Sequence, residues 1–377
     1  MHVSEDTFEL GKAIGQLLQD DIAGAKALLA WNPEQLAQRL ETERLGGHVD
    51  QLLRSVAVDT YIGSAHATAL APLVSAMQFD WIRREEALSQ LIKVFEDNGI
   101  RAAFLKGIVW AETLYQRPFD RSASDIDILI SERDALHFHQ VMQRAGYRYR
   151  EDKHTFASNE FGYLPLDEAY PFQIDVHWSL CDLYAEEPVN LENAFKRAVP
   201  WPKNKSANAQ MLSPVDDILW HCWHRTSTAG DISRLRSLID LSLLAHHYKD
   251  SAEDFDGIGL SPLEREAVIS TFSDTAAILG QDALPAQWNT WVELQATPYS
   301  RARAVLEKRR QFQTIRHRIA SASTPRESLQ RLWQTGLPPK RWLEINTGKT
   351  EWNDYLYTCG ERLVRGVRTR VWEKLKA

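Results

Sequence analysis

Asp125-Ile-Asp-Ile-Leu-Ile130, with Phe104-Leu-Lys-Gly107 upstream of it, is the stretch on which the reading of this 377-residue sequence turns. Side chains at i and i+2 of a strand share a face, so Asp125 and Asp127 project together while Ile126, Ile128 and Ile130 turn to a core. Two carboxylates side by side repel, and a divalent cation between them removes the repulsion. Hard oxygen ligands suit Mg²⁺ or Mn²⁺. A third carboxylate stands in Gln173-Ile-Asp-Val-His-Trp178, where Gln173, Asp175 and His177 share one face and Ile174, Val176 and Trp178 the other. Three strand-borne carboxylates can hold two metals, roughly 3.5–4 Å apart, which suits an in-line phosphoryl displacement.

Working outward, residues 7–98 show apolar positions every three or four residues and predict helices throughout. The last and longest begins near Ala65, carries Trp81, Ile82, Leu88, Leu91, Ile92, Val94 and Phe95, and stops at Gly99. Between 100 and 178 the pattern alternates. Strands are expected at 101–106, 125–130, 147–150, 155–164 and 172–178, the last two as a hairpin, with helices at 108–115 and after Ser131, where Ser131 and Asp134 resemble a capping box. From 205 the chain returns to helix. Three starts repeat one chemistry, Ser213-Pro-Val-Asp216, Ser261-Pro-Leu-Glu264 and Thr324-Pro-Arg-Glu327: a hydroxyl cap, proline at the first position and a carboxylate two further on. The expected fold is α+β, a small mixed sheet in a core at 99–204 flanked by helical regions at 1–98 and 205–377.

The balance of residues excludes several classes. Hydrophobic residues make up 44% of the chain, enough for a sizeable core. No window approaches 18 uncharged apolar residues, and the N-terminus lacks a signal-peptide pattern, so neither membrane spanning nor export is expected. Cys181, Cys222 and Cys359 lie far apart without Cys-x-x-Cys spacing, which argues against disulfides and thiolate zinc and for a cytoplasmic protein. Net charge is −7, yet residues 301–377 carry 18 Lys/Arg against 7 Asp/Glu. Arginine-rich helices expected at 298–320 and 353–376 either contact RNA phosphates or are solvated faces balancing an acidic body.

Other polar residues have two readings each. Lys106 before Gly107 suits a phosphate at a helix N-terminus or is a solvated strand-end lysine. Arg121 binds a triphosphate or pairs with Asp125 or Asp127. His177 orients a carboxylate or packs beside Trp178. His221 and His224, three apart on a helix, lack a carboxylate partner at metal-site spacing. Trp110 and Tyr115 line a base pocket or pack in the core.

Together these residues resemble the polymerase-β-like nucleotidyltransferase superfamily and, within it, a bacterial nucleotidyltransferase group. The matching pieces are Leu105-Lys-Gly107, Leu114-Tyr115, Arg121 four residues before Asp125-Ile-Asp127, and Ile174-Asp-Val-His-Trp178, with looser similarity from Leu212 through His221 and His224 to Asp240. Two departures touch the triphosphate contacts. Ser122 and Ser124 stand where the group more often has proline and glycine, and Lys106-Gly107 replaces the superfamily's Gly-Ser pair. The resemblance implies a nucleotidyltransferase core in which Asp125, Asp127 and Asp175 are metal-binding and catalytic, and Lys106, Gly107, Arg121 and Ser124 hold the nucleotide. It implies transfer of a nucleoside monophosphate from an NTP, ATP by default, to a small molecule, sugar, peptide or protein, with release of pyrophosphate. The alternatives are a toxin-like enzyme modifying RNA and a non-catalytic nucleotide- or RNA-binding protein.

Overall fold

The computed structural model describes residues 4–150, 160–165, 172–180, 189–202, 204, 206–227, 234–252 and 254–295. The helix start at Thr324, both arginine-rich helices, Cys181 and Cys359 lie outside these residues.

The chain opens with six helices: α1 (Glu5–Leu17), α2 (Ile22–Leu29), α3 (Pro33–Glu43), α4 (Gly46–Val56), α5 (Val58–Tyr61) and the long α6 (Ala65–Asp97). Strand β1 (Ala102–Phe104), helix α7 (Lys106–Thr113), β2 (Asp125–Ile130), α8 (Ala135–Arg144), β3 (Tyr147–Tyr149), β4 (Glu160–Pro165) and β5 (Gln173–His177) follow. After α9 (Ala194–Arg197), β6 (Val199–Pro200) and β7 (Ala209–Met211) come α10 (Pro214–Ser227), α11 (Leu235–His247), α12 (Asp254–Gly257), α13 (Pro262–Leu279) and α14 (Ala286–Gln295). The fold is mixed α+β with helices on both sides of the sheet-forming segment.

The seven strands form one mixed sheet in the order β3-β4-β5-β2-β1-β7-β6. Strand β2 pairs in parallel with β5 and antiparallel with β1, and β1 pairs in parallel with β7. Strands β4 and β5 are antiparallel, as a hairpin requires. The short β6 and β7 were not expected. They carry no period of their own and exist through pairing, Ala209 to Met211 lying opposite Ala102 to Phe104, so the sheet runs beyond residue 204.

Two cores result. The larger joins β1, β2 and β5 to the C-terminal half of α6, to α7, α8 and α10, and to most of α13. The smaller joins α1 to α4 with Leu235, Leu238 and Ile239 of α11 and Ile278 and Leu279 at the end of α13. Helices α6 and α11 contribute to both, Leu70 and Leu238 to one core, Trp81 and Leu241 to the other. On α1, Gly11 and Gly15 let the backbones meet: a Cβ on Gly15 would stand 1.8 Å from the carbonyl oxygen of Leu279.

Helix signals were mostly honoured. Ser213 Oγ accepts from the Asp216 amide, and Ser261 with Glu264 makes a reciprocal capping box. Gly99 and Gly146 end their helices at φ +64° and +87°. Ser131 and Asp134 form no capping box, because a 3-10 turn over Glu132–Asp134 takes up that turn before α8 begins. Ile82 does not join the buried face of α6. It is 57% exposed, whereas Trp81, Arg84 and Leu88 point inward at spacings of three and four.

Candidate active site

The site grows from the register of β2 and β5. Asp127 lies directly opposite Asp175, and Asp125 opposite Gln173. One oxygen from each of Asp125, Asp127 and Asp175 falls within 4.8 Å of the others. Asp127 and Asp175 are buried on central strands, at 4% and 6% exposure. The expected cluster is thus assembled by the pairing of strand residues 48 apart in sequence.

The carboxylates are not equivalent. Burial, reinforced by the neighbouring Asp127 charge, raises the pKa of Asp125. Burial would raise Asp127 too, but Lys106 and His177 outweigh it and hold this carboxyl well below the usual range. Lys106 Nζ stands 3.3 Å from Asp127 Oδ2, and His177 Nε2 stands 3.4 Å from Oδ1. Oδ2 nevertheless accepts no hydrogen bond. Asp175 Oδ1 accepts from Gln173 Nε2, whose Oε1 accepts from Arg150.

Lys106 reaches this position because the Leu105 amide donates to Asp127 O, 2.9 Å, carrying the β1 ladder one residue past the strand. It opens α7 at φ +29°, a strained value for a residue with a Cβ. No side chain caps that N-terminus. A Cβ on Gly107 would lie 3.3 Å from both Ala123 Cβ and Arg121 Nη1, so glycine permits the close approach of α7 to the turn at 121–124.

That turn is held from both helical sides. From α6, Arg84 donates to the carbonyls of Ala123 and Asp125 while stacking 4.3 Å above the Phe172 ring. From α11, Arg236 Nη1 donates to Ser122 O at 3.0 Å. Arg121 pairs with neither Asp125 nor Asp127. It is buried over Trp110 and donates through Nε and Nη2 to the two oxygens of Asp240, both at 2.9 Å. Tyr115 Oη also donates to Asp240. Burial disfavours both charges of the Arg121–Asp240 pair, but their mutual attraction prevails, raising the arginine's pKa and lowering the aspartate's.

Lys106, Gly107, Arg121, Ser124 and the three carboxylates all line one cavity of about 250 Å³. Its charged lining comprises Asp125, Asp127, Asp175 and Asp240 against Lys106, Arg121, Arg234 and Arg236. His221 and His224 lie outside the carboxylate cluster. Burial draws the pKa of His221 down to about 4, and its Nε2 contacts Ser237 O at 2.8 Å. His224 stands 3.4 Å from Lys106 Nζ. Trp110 and Tyr115 are buried core residues, though Trp110 also borders the cavity. Cys222 is a buried thiol with its pKa pushed up to about 12 by burial. Arg84, Arg234 and Arg236 also belong to the surroundings of the site, and no local pattern singles out the last two. For Arg84 a signal existed, a charge midway between Trp81 and Leu88 on an otherwise apolar stripe.

A mixed sheet presenting three clustered carboxylates beside a lysine at a helix N-terminus defines a nucleotidyltransferase-type core. The model of the uncharacterised nucleotidyltransferase family matches residues 30–258, and the chain belongs to that family. The match takes in α3 to α6 as well as the sheet, and leaves α1 and α2 outside it. No curated protein and no solved structure matches significantly. Among the described residues, no helix is long and apolar enough to cross a membrane.

Proposed function

We propose that this protein is a metal-dependent nucleotidyltransferase, moving a nucleoside monophosphate from an NTP to an acceptor with release of pyrophosphate. The observation that carries the proposal is the convergence of Asp125, Asp127 and Asp175 within 4.8 Å. Their fit to a divalent ion rests on chemistry in the site. All three offer hard oxygen, and the buried Asp127 Oδ2 has the Lys106 charge 3.3 Å away but accepts no hydrogen bond. Mg²⁺ or Mn²⁺ held there would neutralise charge on the reacting phosphate.

The chain's own residues then have distinct tasks. An acceptor hydroxyl forms a bond to the α-phosphorus as the bond to the β-phosphate oxygen breaks and pyrophosphate leaves. Asp175, held by Gln173, takes the acceptor proton. Lys106 and Ser124 hold phosphate oxygens, with Gly107 letting α7 approach. Arg121 acts indirectly, by fixing the turn that leads into Asp125. Catalysis of this kind is positioning and charge neutralisation.

The test is transfer itself. The full chain is incubated with Mg²⁺ or Mn²⁺, each α-labelled NTP and a cell extract, beside Asp127→Asn. Label entering one fraction with wild type but not with the variant supports the proposal. Nuclease-sensitive label makes RNA the acceptor, and protease-sensitive label a protein. Labelling equal in the two proteins rejects the carboxylate site.

A further inference from the structure

The charged lining of the cavity balances: four carboxylates meet four cations. A divalent ion on the carboxylates turns that balance positive, and the excess calls for an anion of several charges. Two of the four cations stand on the carboxylate side, Lys106 beside Asp127 and Arg121 beside Asp240. The other two, Arg234 and Arg236, come from the start of α11.

Arg236 is placed at a cost. It is half-buried, its hydrogen bond goes to the neutral carbonyl of Ser122, and no carboxylate among the described residues forms an ion pair with it. The nearest candidate, Asp240, already accepts two bonds from Arg121 and one from Tyr115. Burial, and after it the Arg121 charge, lowers the pKa of Arg236. A guanidinium held in this way suits an incoming polyanion, which it can meet with paired N–H donors.

We infer that Arg234 and Arg236 form the subsite for the terminal phosphates of the NTP, and so for the pyrophosphate that leaves. The inference rests on the nucleotidyltransferase proposal. It assigns the phosphate tail to α11 and leaves Lys106 to the phosphates nearer the carboxylates. The recognised chemistry is polyphosphate whatever the base.

Inorganic tripolyphosphate with Mg²⁺ is therefore the probe, titrated by calorimetry into the full chain, with a nucleoside monophosphate as comparison. Arg234→Gln and Arg236→Gln should each weaken tripolyphosphate binding about tenfold while monophosphate binding changes less than twofold. Arg236→Lys should recover part of the loss. Arg236 also braces Ser122, so thermal melts accompany each variant. Arg234 is exposed, so Arg234→Gln keeps the test decisive should Arg236→Gln unfold. Wild-type tripolyphosphate affinity in Arg234→Gln and Arg236→Lys would overturn the subsite, as would equal losses for tripolyphosphate and monophosphate. If wild type binds neither tripolyphosphate nor any NTP with Mg²⁺, the transfer proposal falls with it.

Discussion

Arg121 and Asp240, 119 residues apart, form a two-point buried ion pair, Nε and Nη2 each 2.9 Å from a carboxylate oxygen. Arg121 sits four residues before Asp125, so the pair ties the approach to the carboxylate strand to α11. Arg84 does the same from α6 through the carbonyls of Ala123 and Asp125. The metal-binding geometry proposed for β2 therefore depends on helices that precede and follow the sheet-forming segment.

Breaking the Arg121–Asp240 pair should cost stability before it costs nucleotide binding. Arg121→Ala leaves Asp240 buried with only Tyr115 donating, and Asp240→Asn leaves a buried guanidinium uncompensated. Each should lower the unfolding free energy by about 3–5 kcal/mol. Urea unfolding of both variants and the double variant measures this. The double loss should be well below the sum of the single losses. A direct phosphate role for Arg121 predicts the opposite, normal stability with weakened NTP binding.

The two carboxylates of β2 should respond differently to amidation. Simple repulsion predicts that either Asp→Asn change is neutral or stabilising without metal. Asp127, however, is the charge partner of Lys106 and His177, whereas Asp125 carries the burden of burial beside Asp127. Asp127→Asn should lose about 1–3 kcal/mol, and Asp125→Asn should be neutral or more stable. Both should lose stabilisation by Mg²⁺. Chemical melts with and without Mg²⁺ decide it, and indistinguishable apo melts would refute the asymmetry.

What was legible in the sequence was whatever is written locally. Strand β2 announces itself through the alternation of Asp125, Asp127 and three isoleucines, and β5 through the same pattern around Asp175. Proline and hydroxyl pairs at Ser213 and Ser261 mark helix starts for the same reason. The remainder is set by partners distant in sequence. Nothing around Ala209-Gln-Met211 suggests a strand until β1 lies beside it. Arg121 was legible as an arginine that would meet an anion, a triphosphate or Asp125 or Asp127, but not as the partner of Asp240, since no spacing rule connects a turn to a helix 119 residues on.

The close crossing of α1 and α13 gives a prediction about the fold alone. Alanine is favoured over glycine inside a helix by about 0.5–1 kcal/mol. At Gly15 the added methyl would meet the Leu279 carbonyl 1.8 Å away, a backbone atom that cannot rotate aside. Gly15→Ala should therefore destabilise by about 2 kcal/mol or more. Gly257→Ala in α12, where nothing lies within 4 Å, should be neutral or stabilising. Thermal melts compare them, and a Gly15→Ala as stable as wild type would mean that α1 does not dock here.

Asp217 gives the stability profile a pH dependence whose sign can be worked out. Burial pushes its pKa up to about 7, against 3.8 ordinarily, with Asp216 and Asp240 adding to the rise and the Trp110 indole and Arg121 opposing it. Tyr248 also faces it, its own pKa raised by burial and the Asp217 charge. The folded protein thus retains a proton that the unfolded chain has released between about pH 4 and 7. This carboxyl's contribution is most favourable below pH 4, falls as pH rises to about 7, and is constant above that, a span of about 4 kcal/mol. Asp217→Asn cannot titrate, yet its amide oxygen still accepts from Trp110 Nε1, which now donates to both carboxylate oxygens at 2.9 and 3.1 Å. Buried His48 and His221, with pKa values drawn down to about 4, slope the other way but are common to both proteins and cancel in the difference. From pH 5 to pH 8, urea unfolding should show Asp217→Asn gaining stability relative to wild type. Parallel profiles would mean that Asp217 is already ionised in the folded protein at pH 5.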